Sequence, residues 1–190
     1  MKKLLLIICI LFSITLNAQT DFSFGPKIGY KSNDYNFPLG VSLKNRGNLT
    51  LGAYGRFMFN NLVIQPELMY NYITIDYYKC TGLVTIKKNH SFALPVYLGY
   101  QFINRDNFNM RATAGPIVHF NIDDFIESMY PQLNYRFMNL GAALNLGVDI
   151  YRFTIDLGYS LGFTNVFHNI DNPNIRQNSL TFTVGYRFGK

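Results

Sequence analysis

The chain has 190 residues, enough for one domain, and carries aromatics at 16% but charged residues at only 15%, well below the usual share of about a quarter. Its formal charge of +6 is spread along the chain, with no Lys/Arg cluster beyond Lys87-Lys88, so nucleic acid is not an expected partner. Beyond the N-terminus no run of about 18 apolar residues occurs, which excludes helical membrane spans and leaves only strands to cross a bilayer.

The first element is Met1 to Thr20: two lysines, an apolar run, then the small residue Ala18. That order is expected of a secretory signal peptide over residues 1–18, with the mature domain over residues 19–190. Cys9 lies in the signal, and Ile7-Ile8 before it lacks the small residue that lipoprotein processing wants. Cys80 is then the one mature cysteine. An intrachain disulfide and a multi-cysteine zinc site are both excluded, and pairing between chains through Cys80 stays open.

From Phe22 onward the sequence alternates with period two, the pattern of strands with two unlike faces. Eight such segments follow: Phe22–Tyr30, Leu49–Phe59, Leu62–Tyr72, Phe92–Phe102, Met110–Phe120, Met138–Ile150, Phe153–Phe163 and Leu180–Phe188. In Leu62–Tyr72, for example, Leu62, Ile64, Pro66, Leu68, Tyr70 and Tyr72 share one face. Val63, Gln65, Glu67, Met69 and Asn71 share the other. Asn60-Asn61, residues 103–107 and Tyr151-Arg152 are short connections. Lys31–Asn48, Ile73–His90, Asn121–Arg136 and Thr164–Asn178 are long ones. Short turns on one rim and long loops on the other are the outer-membrane layout, with the short rim periplasmic. The expected fold is all-β: a transmembrane up-and-down antiparallel β-barrel of about eight strands, in the outer membrane of a Gram-negative bacterium.

A secreted barrel with its apolar face inward is the competing arrangement. The apolar face is bulky on every strand, and eight narrow strands could not point all of it inward. The other face is rich in Gly, Ala, Thr and Asn and short of Lys and Glu, unlike a water-facing exterior. Phe59, Phe102, Phe108, Phe153 and Phe188 fall near the short rim, and Tyr30, Tyr70, Tyr72, Phe120 and Phe163 near the long one. Two aromatic girdles match the two bilayer interfaces, though the chain has no Trp. Lys27, Arg56, Glu67, Arg111, Asp149, Asp156 and Arg187 then face the lumen. Two readings of these charges are open, an ion or proton path and a plug of paired side chains. The plug is favoured, because eight-strand interiors are filled by side chains.

Ile64-Gln65-Pro66-Glu67-Leu68-Met69-Tyr70 resembles the "LQPELLYS" stretch of the Bacteroidetes outer-membrane β-barrel family, which includes porin T-like proteins. Leu94-Pro95-Val96, Ala114-Gly115-Pro116, Asn139–Asp149, Asp156–Val166 and Leu180–Phe188 resemble further family segments in the same order. The ending Asn17-Ala18-Gln19 is similar to signals common in that phylum. The resemblance covers nearly the whole mature chain and implies an outer-membrane, porin-like barrel without a common catalytic motif. Porin T itself looks like a component of protein secretion and gliding machinery, so the resemblance implies a secretion link as one form of the role. The chain departs from the pattern where Gly189-Lys190 follow the closing aromatic Phe188, the end that barrel-assembly machinery reads.

No catalytic, cofactor or metal site is expected. His90, His119 and His168 have no ligand spacing with Asp123, Asp124 or Asp171. Ser160 and His119 could be thought of as parts of a lipid A-modifying enzyme, but both fall on the lumen face and no GxSxG elbow occurs. The expected role is structural or interactive, through long extracellular loops and with a link to secretion machinery as one form of it. The alternatives are a narrow porin for small solutes or ions and, behind it, the lipid-modifying enzyme. Expected partners are outer-membrane lipid, the assembly machinery during biogenesis, and a protein at the loops.

Overall fold

A computed structural model describes residues 20–35, 43–78, 84–122, 137–164 and 176–189. The signal segment, Cys80, His168, Asp123, Asp124 and Asp171 lie outside these residues. The described chain is all strand: β1 (Thr20–Tyr35), β2 (Leu43–Phe59), β3 (Leu62–Tyr78), β4 (Val84–Arg105), β5 (Phe108–Asn121), β6 (Met138–Ile150), β7 (Phe153–Gly162), β8 (Gln177–Tyr186) and the short β9 (Phe188–Gly189). Among the described residues no helix is long and apolar enough to cross a membrane.

Each strand pairs antiparallel with the next, and β8 pairs back onto β1, so the sheet closes. β9 continues β8, since Phe24 opposite Phe188 keeps the register of Lys27 opposite Gly185. The result is an eight-strand barrel. A walk across paired residues from Thr20 passes Phe59, Leu62, Tyr100, Ala112, Leu146, Leu157 and Phe182 and regains β1 at Tyr30, ten residues beyond its start. For eight strands that stagger sets a tilt of about 40° and a backbone radius of about 8 Å. Closure leaves no edge to face hydrocarbon, where an unbonded amide costs several kcal/mol.

Three tight turns form one rim: Asn60-Asn61, Asp106-Asn107 and Tyr151-Arg152. Asn60 and Tyr151 take left-handed backbone, with φ of 56° and 53°. Asn adopts that conformation readily, whereas Tyr pays a steric cost there. Each turn is tied to its neighbour: the Gln101 amide donates to Asn61 O (2.8 Å), Tyr151 to Asn107 O (3.0 Å) and Arg187 to Arg152 O (2.7 Å).

At the other rim the strands run further than their alternation indicates. The described residues of Lys31–Asn48 and Ile73–His90, expected as loops, are strand. The β2–β3 ladder reaches Leu43 opposite Tyr77, and the β3–β4 ladder reaches Tyr78 opposite Val84. These segments lose the apolar/polar rhythm because they stand beyond the belt where one face must be greasy. The expected 103–107 turn tightens to two residues, and a register shift falls between Gln101 and Ile103.

Pro66, Pro95 and Pro116 interrupt the ladders locally. Pairing is broken between Pro66–Val96 and Met69–Ala93, and again between Pro95–Ile117 and Leu98–Ala114. The register is identical on both sides, so each missing amide weakens the pairing without inserting a bulge.

The apolar rows point outward. Leu62, Leu68, Leu98, Leu144, Leu146 and Leu157 form an exposed aliphatic belt. An aromatic chain lines the short rim, Phe57 to Phe22 to Phe24 to Phe188 to Tyr186 to Phe153, with centroids 4.9–5.8 Å apart. At the opposite interface Tyr70 contacts Phe92 and His90, and Phe120 contacts Phe137. The inward rows are mostly polar, with Val63, Met69, Tyr97 and Ile117 among them, so the core of the molecule is the filled bore.

Candidate functional site: the filled lumen

The period-two rule decides which side chains enter the bore. Lys27 on β1, Arg56 on β2, Glu67 on β3, Arg111 on β5, Asp149 on β6 and Asp156 on β7 are all buried, and Arg187 sits half-buried at the short rim. Strand stagger brings them to neighbouring levels, where they form one connected network.

Asp149 is its lower centre. Arg56 Nη1 donates to Asp149 Oδ2 (2.7 Å) and Arg111 Nη1 to Asp149 Oδ1 (2.7 Å), while Arg187 Nη1 lies 3.7 Å from Oδ2. β2 and β6 stand four strands apart in a ring of eight, so the Arg56–Asp149 bond crosses the bore. Asp156 is the upper centre. Arg111 Nη2 donates to its Oδ1, Lys27 Nζ lies 2.6 Å from its Oδ2, and Asn145 Nδ2 donates to Oδ1 at 3.1 Å. Lys27 also donates to Glu67 Oε1.

Uncharged groups complete the linkage. Gln65 accepts from Arg56 Nε (2.7 Å) and donates to Glu67 Oε1 (2.6 Å). Thr154 Oγ1 accepts from Arg111 Nη2 at 2.9 Å. The buried Tyr54 ring lies 4.9 Å from Lys27 Nζ and 5.0 Å from the Arg56 guanidinium carbon, within cation–π range. Gly147 is the gap that admits this: a Cβ there would lie 2.4 Å from Arg111 Cζ and from Asp156 Oδ1. Every carboxylate is met by at least one cation, the condition under which charge is tolerated away from water.

Above the network one wall is apolar, with Met69, Ala93, Tyr97, Ile117 and Ala143 packed together. A cavity of about 40 Å³ adjoins it, lined by Met69, Ala93, Tyr97 and Ile117 of that cluster and, among polar groups, by Lys27, Lys31, Thr50, Glu67, Asn71 and Asp156. Hydroxyl and amide groups fill the level above: Thr50 donates to Asn71 Oδ1 (3.0 Å), and Ser160 shares a 2.5 Å bond with Ser179. His119 is buried here too.

Charge alone did not identify Gln65, Tyr54, Thr154 or Asn145, although parity puts them on the inward face. Lys31 was expected in a loop. It is buried in the lumen because Lys27, Gly29, Lys31 and Asn33 continue the inward row of β1. Among the described residues no group of three or more His, Cys, Asp or Glu side chains is placed to hold a metal ion.

Residues 12–168 match the family profile described as "Outer membrane protein beta-barrel domain". No curated protein matches the chain. Among solved structures it resembles the outer membrane protein OprG of Pseudomonas aeruginosa, at 12% identity over 91% of this chain and 97% of that one, with a TM-score of 0.58. It also resembles Neisserial surface protein A, NspA, at 13% identity over 88% of this chain and 97% of that one, with a TM-score of 0.53. Likeness at that identity is one of fold.

Proposed function

The chain belongs to the outer membrane protein β-barrel domain family, and on that premise we propose that it is a structural and interaction protein: a solid barrel anchor that carries extracellular loops to a protein partner. The observation that carries this reading is the Arg56–Asp149 bond spanning the bore, with all the network carboxylates engaged around it. A bore sealed by paired charge supports an anchor rather than a conduit, since an eight-strand interior is filled by its own side chains. The order of motifs that resembles porin T-like proteins supports a partner drawn from the secretion machinery of a Bacteroidetes envelope. In the same reading residues 1–18 direct export and are removed, residues 19–190 form the barrel, and the assembly machinery recognises the closing strand near Phe188.

The second reading is a narrow channel, favoured by the polar lining that continues from Lys31 down to Arg187. Planar-bilayer recording separates the two. The anchor reading expects no stable conductance from purified protein, and cross-linking through the long loops in native envelopes should recover a defined partner. Steady single-channel steps would overturn it. Ser160 is bonded to Ser179 inside the lumen, away from lipid, so no catalytic role is proposed.

A further inference from the structure

Among the described residues the charges buried in the lumen do not balance. Lys27, Lys31, Arg56 and Arg111 stand against Glu67, Asp149 and Asp156, four cations facing three carboxylates. Lys27 is met by Glu67 and Asp156, Arg56 by Asp149, and Arg111 by Asp149 and Asp156. Arg187 also approaches Asp149, but from the half-exposed short rim, and adds positive charge. The excess therefore resides at Lys31, which is 3% exposed and meets no carboxylate among the described residues.

Lys31 lines the cavity of about 40 Å³, together with Thr50, Asn71, Thr181 and Thr183. Glu67 and Asp156 lie in the same lining, but both are engaged by Lys27, and Asp156 by Arg111 as well. At about 10–15 Å³ of such space per water, the cavity has room for about three waters, or for one small anion with part of its shell. An ammonium taken out of water needs a counter-charge or must give up its proton. Thr50 donates to Asn71, so the Thr181 and Thr183 hydroxyls are the further donors of the kind a halide accepts.

We infer that the upper lumen is a binding site for a small inorganic anion of about chloride size, held by Lys31 and the Thr181 and Thr183 hydroxyls of the cavity wall. The anion supplies the negative charge that the described lumen residues lack. A bulky organic anion does not fit the volume. The inference goes beyond the anchor reading and stands whether or not the loops capture a partner.

The test uses the mature protein folded in detergent, with urea midpoints measured in sodium chloride and in sodium gluconate at equal ionic strength. The wild-type midpoint should rise saturably with chloride. Lys31→Met should lose that response while keeping the heat-modifiable gel migration of a folded barrel, and Lys31→Arg should retain it. In crystals soaked in sodium bromide, anomalous scattering should place bromide beside Lys31 Nζ. A wild-type midpoint indifferent to chloride, an equal response in Lys31→Met, or bromide bound only outside the lumen would each overturn the inference.

Discussion

Replacing Asp149 by Asn tests the lumen network at its most connected point. The side chain is 1% exposed and accepts two 2.7 Å bonds, one from Arg56 and one from Arg111. Asn preserves the volume but removes the charge and one acceptor oxygen. A hydrogen bond to a charged group contributes about 1.5–3 kcal/mol, and removing one partner of a buried pair costs about 3–5 kcal/mol. With two guanidiniums depending on Asp149, the expected loss is about 3–5 kcal/mol. For a urea slope of about 2 kcal/mol/M the midpoint should fall by roughly 1.5–2.5 M. The assay is urea titration of the barrel in detergent micelles, read as the fraction with folded gel migration and cross-checked by far-UV circular dichroism. Arg56→Gln combined with Asp149→Asn should cost less than the sum of the single changes, because the second removes a charge the first has already stranded. A single-variant loss under about 1 kcal/mol, or strict additivity, would refute the idea that the pair is desolvated and coupled.

Other perturbations probe the same architecture. Glu67→Leu removes an acceptor used by both Lys27 and Gln65, so it should lower the heat needed to convert the folded gel band while leaving membrane insertion intact; unchanged conversion would count against Glu67 as a network member. Gly147→Ala should destabilise by about 1–3 kcal/mol in the same titration, since the new methyl must displace the Arg111–Asp156 pair from a site with no spare volume. An equally stable Gly147→Ala protein would mean that the pair can shift without loss. Tyr151→Asn should raise the urea midpoint by about 1 kcal/mol equivalent, because Asn tolerates the left-handed turn conformation better than Tyr; a lower midpoint would show that the ring's contact with the interface outweighs the strain.

The fold was legible because a bilayer imposes period two on every crossing strand, and a one-residue slip would turn a whole row of leucines inward. Leu144 and Leu146 against Asn145 and Gly147 on β6 show how little ambiguity remains once one face must be greasy. Where that pressure ends, legibility ends as well. The strand extensions around Leu43 and Val84 carry no consistent rhythm and read as loops. Lys31 was lost with them, although it keeps the parity of Lys27. The charged members of the bore could be picked out by parity and formal charge. Their pairing could not, because the Arg56–Asp149 contact spans 93 residues of sequence and depends on the ten-residue stagger of the barrel. Gly147 shows the same limit: it reads as one small residue among several, and only the packing of Arg111 against Asp156 reveals why a side chain is excluded there.

The most direct test of greasy rows outward and polar rows inward uses the chain's lack of tryptophan. A single Trp at Leu144, on the outward face of β6, and a single Trp at Tyr97, in the bore on β4, lie at similar depth. Each variant would be reconstituted in vesicles of acyl-chain-brominated lipid and its fluorescence compared with that in unbrominated vesicles. Leu144→Trp should be strongly quenched and blue-shifted by its contact with hydrocarbon, and Tyr97→Trp should be quenched far less. Stronger quenching at Tyr97 than at Leu144 would place the apolar rows in the bore and contradict the barrel's assigned orientation.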